Sequence, residues 1–317
     1  MRHYSQIALV GAVCMLLAAC TNDDVLQEGQ VASFKLATEK QTVSRAAANL
    51  NDQATFVFPS DFTIAMDAEN FTYTANGIET EMTSSEPARF PIDGSNVRII
   101  AFYPSFAMSY SDTPQTFTVA QDQSQTDMGA NNYRVSDLMY GLPQSTFSEL
   151  DTDGKVKCTA QPIPLVFEHK MSKISINVHL NGSVIKKMTM LNVKRSIDFN
   201  PADATFSNLA EAADELGNSI LVYESEVGML VDTECAVLVP TQSLAVGTKF
   251  IEIVVEDFPN DQVLTYRLHE DADFQPGAHY IYQLQVTMSG VEDVQCTMAP
   301  WDTNPPGWTD INETITL

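Results

Sequence analysis

The chain has 317 residues, of which 41 are Asp or Glu and 17 are Lys or Arg, so its formal net charge is −24 at pH 7. This excess of negative charge repels phosphate backbones and anionic lipid head groups, which excludes nucleic acid as a partner. Apolar residues make up 44% of the chain, which is enough for one large or two smaller folded cores.

An apolar segment near the amino terminus is typical of an export signal. It covers residues 7–19 without a charge, which is shorter than the ~20 residues that a membrane-spanning helix needs. It ends in Leu17-Ala18-Ala19-Cys20, and small residues before a cysteine resemble a lipobox, in which the thiol carries diacylglycerol. We predict a signal peptide over residues 1–19 and lipidation at Cys20, the alternative being an ordinary signal peptide.

Two acidic residues, Asp23 and Asp24, follow the predicted lipid site. Acidic residues at this place resemble the surface-export signal of Bacteroidia lipoproteins. They favour a surface-exposed protein that is held to the outer membrane through its lipid anchor. The alternative is a solvated polar tether with no address function.

Three cysteines remain in the predicted mature chain: Cys158, Cys235 and Cys296. They are widely spaced and odd in number, so they do not indicate a disulfide framework. We expect all three to be small buried hydrophobic residues, and one disulfide stays open as the alternative.

Alternation of apolar and polar residues with a period of two predicts β-strands along most of the chain. Residues 173–180 are the clearest case, because every second residue is Ile, Val or Leu. Asn181-Gly182 follows at once and suits a tight hairpin turn, with residues 184–193 as the returning strand. Residues 279–288 alternate in the same way. Further strands are predicted at residues 55–58, 62–66, 71–75, 97–103, 116–120, 163–167, 235–239, 250–256 and 263–268.

The many short strands separated by turn residues predict an all-β protein of two tandem β-sandwich domains. Residues 202–216 carry the one helical pattern, so at most one or two short helices are expected. Proline residues bracket a crossing near residues 158–164. We therefore predict an amino-terminal domain over residues 46–162 and a carboxyl-terminal domain over residues 163–317.

The sequence carries none of the motifs that mark a catalytic or cofactor site. Its five histidines are not at metal-ligand spacing, and it has no P-loop, dinucleotide fingerprint or nucleophile elbow. Asp151-Thr152-Asp153-Gly154 begins like a calcium loop but lacks the later ligands, so it predicts a hairpin turn. His169 is expected to hydrogen bond within a sheet, and Trp301 to lie in a core or groove. We expect no enzyme, no cofactor and no metal site.

Six further segments carry a pattern in their order: residues 97–104, 137–140, 164–174, 238–242, 274–280 and 299–301. None is specific alone. Together, and behind a lipobox, they cover most of the chain and resemble the fimbrillin family, the subunits of type V pili.

The resemblance implies two β-sandwich domains of transthyretin-like, Greek-key build and a structural and adhesive role in a surface pilus, or fimbrium. Family members reach the surface as lipoproteins, and a trypsin-like protease then cuts after an arginine and releases the first strand. The open groove accepts a strand from a neighbouring subunit. The implied partners are other pilus subunits in a homo- or hetero-polymer, the maturation protease, the outer membrane, and a host or microbial surface ligand.

Arg45 matches the cleavable loop, which places the cut between Arg45 and Ala46. Residues 20–45 are then the lipid tether and the removable strand. Arg89 is a weaker competitor for the cut, because it lies between predicted strands. The alternative is an ordinary edge strand that never leaves. The side chains of the removable strand that alternate toward the core are Ala32, Phe34 and Leu36.

Residues 309–317 are a candidate donor strand. Ile311, Ile315 and Leu317 share one face, although Glu313 interrupts it. The prolines and glycine at residues 305–307 cannot easily continue a strand ladder and suit an elbow. The alternative is a terminal strand within its own domain, which would make the chain a tip, anchor or accessory subunit.

Two other classes stay open on the sequence alone. The first is a surface lipoprotein that binds glycan or host protein, never polymerises, and keeps both the anchor at Cys20 and its first strand. The second is a surface hydrolase, because paired carboxylates for glycoside cleavage are brought together only by folding.

Overall fold

The computed structural model describes residues 29–37, 58–105, 107–124, 132–180, 184–207, 218–229, 234–256, 260–287, 290–299 and 301. Within these ranges the chain consists of strands and one four-residue helix, α1 (Asn132–Val135). No helix in the described part is both long and apolar enough to cross a membrane. The predicted all-β fold class is confirmed.

The strands described in the amino-terminal half are β1 (Phe34–Leu36), β2 (Ser60–Met66), β3 (Glu69–Ala75), β4 (Ile99–Tyr103), β5 (Gln115–Thr118), β6 (Met139–Pro143) and β7 (Ile163–His169). Those described in the carboxyl-terminal half are β8 (Ser172–Leu180), β9 (Ile185–Leu191), β10 (Ser196–Asn200), β11 (Thr205–Ser207), β12 (Ser219–Met229), β13 (Glu234–Val239), β14 (Gln242–Leu244), β15 (Lys249–Val255), β16 (Gln262–Arg267), β17 (Ala272–Phe274), β18 (His279–Thr287) and β19 (Gly290–Ala299).

Six strands of the first half form one sheet in the order β1-β7-β6-β4-β2-β3. β1 runs parallel to β7, and the other neighbours are antiparallel. β2 and β3 form a two-residue hairpin in which Asp67 takes a φ of 52°, which aspartate tolerates better than most residues. One face of the sheet packs against a buried apolar cluster, here called the first core, which includes Phe34, Leu36, Phe62, Ile64, Tyr73, Phe90, Ile99, Ile163, Leu165 and Phe167.

The change from the first sheet to the next lies at residue 170, because β7 is hydrogen bonded to β6 along its length. The predicted boundary at residue 162 therefore falls before the last strand of the first sheet. Pro164 had suggested a linker, yet it lies inside β7. It lacks only an N–H group, and its carbonyl still accepts a hydrogen bond from Gln144 N at 2.8 Å.

The carboxyl-terminal half contains two four-stranded sheets, β12-β9-β15-β16 and β13-β8-β18-β19. A larger buried apolar cluster, the second core, lies on their inner faces. The strands predicted at residues 173–180 and 279–288 correspond to β8 and β18, and the side chains of their predicted inward face are at most 6% exposed: Ile174, Ile176, Val178, Leu180, Tyr280, Tyr282, Leu284 and Val286. The predicted alternation holds only in part, because Ser175, His279, Ile281 and Gln283 on the opposite face are also buried.

The hairpin predicted at Asn181-Gly182 is wrong. β8 pairs with β13 and β18, whereas β9 pairs with β12 and β15 in the other sheet. Residues 181–183 lie outside the described part, and the connection leads from one sheet to the other. A turn sequence favours a reversal of the chain, but the burial of each strand's apolar face decides its partners.

The helix predicted over residues 202–216 is wrong in its first part. Thr205–Ser207 is a strand that pairs with β10, and Ala204 before it has a φ of 58°. Residues 208–217 lie outside the described part. Phe206, which fitted the helical spacing, packs instead on Phe199 with 5.3 Å between the ring centroids. This tertiary contact outweighs a weak helical propensity.

Residues 115–124 join the two halves. β5 pairs antiparallel with β10. Gln123 is fully buried; its side chain accepts a hydrogen bond from Leu238 N at 2.8 Å and donates one to Leu238 O at 2.9 Å. Phe102, on the outer face of the first sheet, belongs to the second core. The halves are thus connected by strand pairing and a shared core as well as by the chain.

The prediction that all three remaining cysteines are buried is wrong for two of them. Cys235 is buried, but Cys158 and Cys296 are exposed, and none of the three forms a disulfide. Cys158 lies outside the described strands and Cys296 lies within β19, so no shared pattern in the sequence separates the exposed cysteines from the buried one.

Residues 151–154 form a turn, as predicted. Asp151 Oδ1 accepts backbone hydrogen bonds from Asp153 and Lys155, both at 2.9 Å, and Oδ2 accepts one from Asn96 at 2.7 Å. The bond from Asn96, and next that from Lys155, lowers the pKa of the Asp151 carboxyl. Both oxygens hold the turn, and the described residues contain no group of three His, Cys, Asp or Glu placed to bind a metal ion.

Gly141 in β6 tests how tightly the first sheet is packed. A Cβ there would lie 2.7 Å from the ring of Phe167. Gly141→Ala is expected to lower the free energy of unfolding by about 1–3 kcal/mol, because the ring must move. Urea denaturation measures this. Gly290→Ala is the matched control, since its Cβ would meet no atom within 4 Å, and a change within about 0.5 kcal/mol is expected. Equal stability of the two variants would contradict the packing.

Candidate functional site

The structure describes one of the predicted sites, the removable strand, and the surface that it covers. Ala32, Phe34 and Leu36 lie in or next to β1 and are buried. The other predicted site residues lie outside the described part: Cys20, Arg45, Ala46, Ile311, Ile315 and Leu317.

On one side, the backbone of β1 is bonded to β7. Phe34 is opposite Ile163 and Leu36 is opposite Leu165 in a parallel register. Ile163 N donates to Ser33 O and Ala37 N donates to Leu165 O, both at 2.8 Å. β1 and β7 can pair in parallel because they are far apart in sequence. The chain between them is long enough to return to the same end of the sheet, which a hairpin turn cannot do.

On its other side, β1 is bonded to residues 78–90, here called the rim segment. Two bonds lie near the start of β1: Ala32 N donates to Ala88 O and Phe90 N donates to Gln30 O, both at 2.8 Å. Two more follow, from Met82 N to Phe34 O at 2.7 Å and from Glu79 N to Leu36 O at 2.9 Å. β1 is the last strand of its sheet, yet both of its edges are occupied.

The inward side chains of β1 complete the first core. Ala32 is 1% exposed, Phe34 0% and Leu36 2%. The ring of Phe34 meets that of Tyr73 edge-on, with 5.0 Å between centroids. Burial of Phe34 and of Leu36 contributes about 1.5–3 kcal/mol each. Without β1, the first core would have an open apolar groove between β7 and the rim segment, here called the β1 groove.

The hydroxyl of Tyr73 links β1 to the rim segment. It donates to Ala32 O at 3.2 Å and accepts from Ala88 N at 2.9 Å. Burial raises the pKa of this hydroxyl, which the hydrogen bond from Ala88 partly offsets. The group therefore stays protonated and fixes the position of the Ala32 carbonyl.

Outward side chains of β1 meet acidic residues of the rim segment. Lys35 Nζ lies 2.5 Å from Glu79 Oε2, and Ser33 Oγ donates to Glu81. Both contacts are exposed, so each is worth little to stability. Glu79, Glu81 and Tyr73 were missed in the sequence, because no local pattern indicates which segment lies beside the first strand.

The start of the described chain packs closely on the rim segment. A Cβ at Gly29 would lie 1.8 Å from Phe90 O, so this close approach requires glycine. Arg89 Nη1 donates to Gly29 O at 3.0 Å. The groove is thus narrow at this end.

Of two aromatic predictions outside the groove, that for Trp301 is confirmed, whereas His169 bonds a residue just before β6 and not one within a sheet. His169 Nδ1 is 2.9 Å from Asp137 Oδ1, at the end of the first sheet. Trp301 is buried and stacks on the His169 ring with 3.8 Å between centroids. Trp301 therefore has a core role and is not free to stack on a sugar.

A surface cavity of about 260 Å³ lies beside β16 and β19, lined among others by Tyr266, Tyr282 and Met298. Its carboxylates are engaged in the local structure. Asp271 accepts a hydrogen bond from Val246 N at 2.8 Å, and Asp273 accepts one from Ser243 at 2.9 Å. These bonds hold neighbouring turns, so the cavity is a weaker candidate site than the β1 groove.

The fold and the site together define a two-core β-sandwich protein whose first strand is held in its sheet by backbone pairing and apolar burial. The sequence profile described as fimbrillin-like matches residues 30–301. The chain belongs to this fimbrillin-like family. It is accordingly a structural protein with a pilus-type or adhesion role at the cell surface, and not an enzyme.

Solved structures show the same fold at low sequence identity. A proposed cell adhesion protein from Bacteroides uniformis is 17% identical with a TM-score of 0.54, and the match covers 86% of this chain and 99% of that one. Another from Bacteroides ovatus is 13% identical with a TM-score of 0.59, covering 88% of this chain and all of that one. No curated protein matches the chain.

The hydroxyl of Tyr73 can be tested by substitution. Tyr73→Phe is expected to lower the free energy of unfolding by about 1–3 kcal/mol, because it leaves Ala32 O and Ala88 N buried without this partner. The matched control is Tyr110→Phe, whose hydroxyl bonds Asp112 at an exposed position, and a change within about 0.5 kcal/mol is expected. Urea denaturation with the strand in place measures both. If Tyr73→Phe left the free energy of unfolding unchanged, this result would argue against the hydroxyl as a link between β1 and the rim segment.

The rim segment should be protected from proteases only while β1 is present. Arg89 is exposed, but Phe90 is 2% exposed and its N–H is bound to Gln30. A protease needs a locally unfolded chain. Trypsin is expected to leave the Arg89–Phe90 bond intact in the whole chain. It is expected to cut this bond in a chain that has first been cleaved at an engineered protease site between β1 and β2 and then freed of β1 in mild denaturant. Mass spectrometry identifies the cuts. The bond after exposed Arg267 in β16 serves as the internal control, because its susceptibility to trypsin is not expected to depend on β1. A cut after Arg89 while β1 is still bound would show that β1 does not protect the rim segment from trypsin.

Proposed function

We propose that the chain is a subunit of a surface pilus that is exported as a lipoprotein, cut between Arg45 and Ala46, and assembled by donor-strand exchange. The observation that carries the proposal is the two-sided backbone pairing of β1 around three buried side chains. Cleavage after β1 would leave that strand attached to the body by non-covalent contacts alone.

Backbone pairing makes the strand replaceable. The hydrogen bonds of β1 to β7 and to the rim segment use N–H and C=O groups that every residue except proline carries. An incoming strand can therefore form the same bonds, and its alternate side chains can fill the positions of Ala32, Phe34 and Leu36. The exchange needs no new backbone geometry in the groove.

Energetics favour replacement over simple loss of β1. Six backbone hydrogen bonds between β1 and its two neighbours are given above. Each contributes about 0.5–1.5 kcal/mol net, and burial of the two large side chains adds about 3–6 kcal/mol. Losing all of this at once would cost a large part of the stability of an ordinary domain, which is about 5–15 kcal/mol. We therefore expect the incoming strand to replace β1 stepwise, so that the groove is never completely empty.

The remaining elements of the proposal are the lipid anchor, the protease, the donor strand and the ligand, which were predicted from the sequence. Cys20 would carry the lipid that holds the subunit at the outer membrane before the cut, and a trypsin-like protease would make the cut. Ile311, Ile315 and Leu317 would form the strand that enters the groove of the next subunit. A host or microbial surface ligand would be the target of the assembled fibre.

Substitution at the cut site tests this function. Arg45→Ala is expected to leave the fold intact and to abolish polymers on the cell surface, because β1 then stays covalently attached in its groove. Arg267→Ala is the matched control and should assemble normally, because Arg267 lies in β16 and outside the β1 groove. Electron microscopy of cells and the intact mass of surface protein report the outcome. Normal fibres from Arg45→Ala would refute assembly through this cut, and a chain that keeps lipidated Cys20 and never shortens would favour a non-polymerising binding lipoprotein.

A further inference from the structure

The β1 groove and the candidate donor segment of this same chain do not fit each other. We propose that the groove accepts a strand from a different polypeptide, and not residues 309–317 of a second copy. The partner strand would carry a small residue followed by two large apolar residues at alternate, inward positions, with hydroxyl or basic residues between them. This inference rests on the proposed function.

The inward positions of the groove set the first requirement. Ala32, Phe34 and Leu36 are at most 2% exposed and belong to the first core. The position of Ala32 favours a small residue, because this alanine is 1% exposed within the first core and a larger side chain there would have to displace its neighbours. A carboxylate at any of the three positions would be buried among apolar side chains without a partner, which is costly.

Every register of the candidate donor violates this requirement. In an extended strand alternate residues share a face, so the odd-numbered residues Thr309, Ile311, Glu313, Ile315 and Leu317 enter together. Any three consecutive members of this set include Glu313. The conclusion is the same for parallel and antiparallel entry, because reversing the strand leaves each set unchanged.

Other placements of the tail fail for related reasons. The even-numbered face presents only polar side chains: Asp310, Asn312, Thr314 and Thr316. A register that begins at Gly307 avoids Glu313, but it puts Thr309 where the ring of Phe34 fills the core against Tyr73. Such a replacement would leave a void and bury a hydroxyl.

The outward positions of a strand in the groove favour basic or hydroxyl side chains over acidic ones. Glu79 and Glu81 of the rim segment face Lys35 and Ser33 of β1. Residues 309–317 contain two acids and no Lys or Arg, so a second copy would bring negative charge to an acidic rim. A strand with a hydroxyl and a base at these positions, as β1 has, meets the carboxylates favourably.

Peptide exchange tests the proposal on the mature full-length chain cut after Arg45. Fluorescent peptides of residues 29–37, of residues 309–317, and of the latter with Glu313→Ala or Asp310→Ala are added in mild denaturant, and anisotropy follows their incorporation. Glu313→Ala restores the small-large-large pattern, because the introduced alanine takes the position of Ala32, and Ile315 and Leu317 take those of Phe34 and Leu36. Asp310→Ala is the matched control, because it removes one charge outside that register.

The peptide of residues 29–37 and the Glu313→Ala peptide are expected to enter, and the other two to bind at least about tenfold more weakly, because Glu313 is buried without a partner. Entry of the unaltered 309–317 peptide as well as the 29–37 peptide would overturn the proposal, and so would equal behaviour of the two variants. Failure of the 29–37 peptide to exchange would instead overturn the proposed strand exchange itself, so the two failures are distinguishable.

Discussion

The pairing of β1 with β7 on one edge and with the rim segment on the other is the constraint on which the amino-terminal half depends. It closes the first core with side chains that no neighbouring segment supplies. Its hydrogen bonds are those of any extended backbone, so they hold a strand firmly without requiring one particular strand. Under the proposed strand exchange, stability and replaceability would come from the same contacts, and the side chains at alternate positions would decide which strand fits.

The charge of the molecule gives these contacts further importance. At a formal net charge of −24, two copies carry charge of the same sign and repel each other at long range. Association of subunits by general electrostatic attraction is then unfavourable. Backbone pairing and apolar burial are local and little affected by this repulsion, so a strand inserted into a groove is a suitable joint for such a protein.

The two halves are connected at three places. β7, which borders the β1 groove, continues through residue 170 into β8, the strand next to β13 and β18 in the second sandwich. β5 and Gln123 add a second connection, and the stack of His169 on Trp301 adds a third near the end of β19. In the proposed fibre, force that enters at the β1 groove would pass into the carboxyl-terminal half through these connections.

The sequence by itself determined the all-β class, most strand positions, and the alternate burial of Ala32, Phe34 and Leu36, because a period of two is a local property of a strand with one buried face. It also indicated the turn at residues 151–154. Only the tertiary structure decided which strands pair with each other. β1 lies against β7 and the rim segment, β8 and β9 belong to opposite sheets, and Thr205–Ser207 is a strand and not a helix. These facts depend on contacts between residues distant in sequence, such as Tyr73 with Ala32 and Gln123 with Leu238, whose energies no local pattern contains.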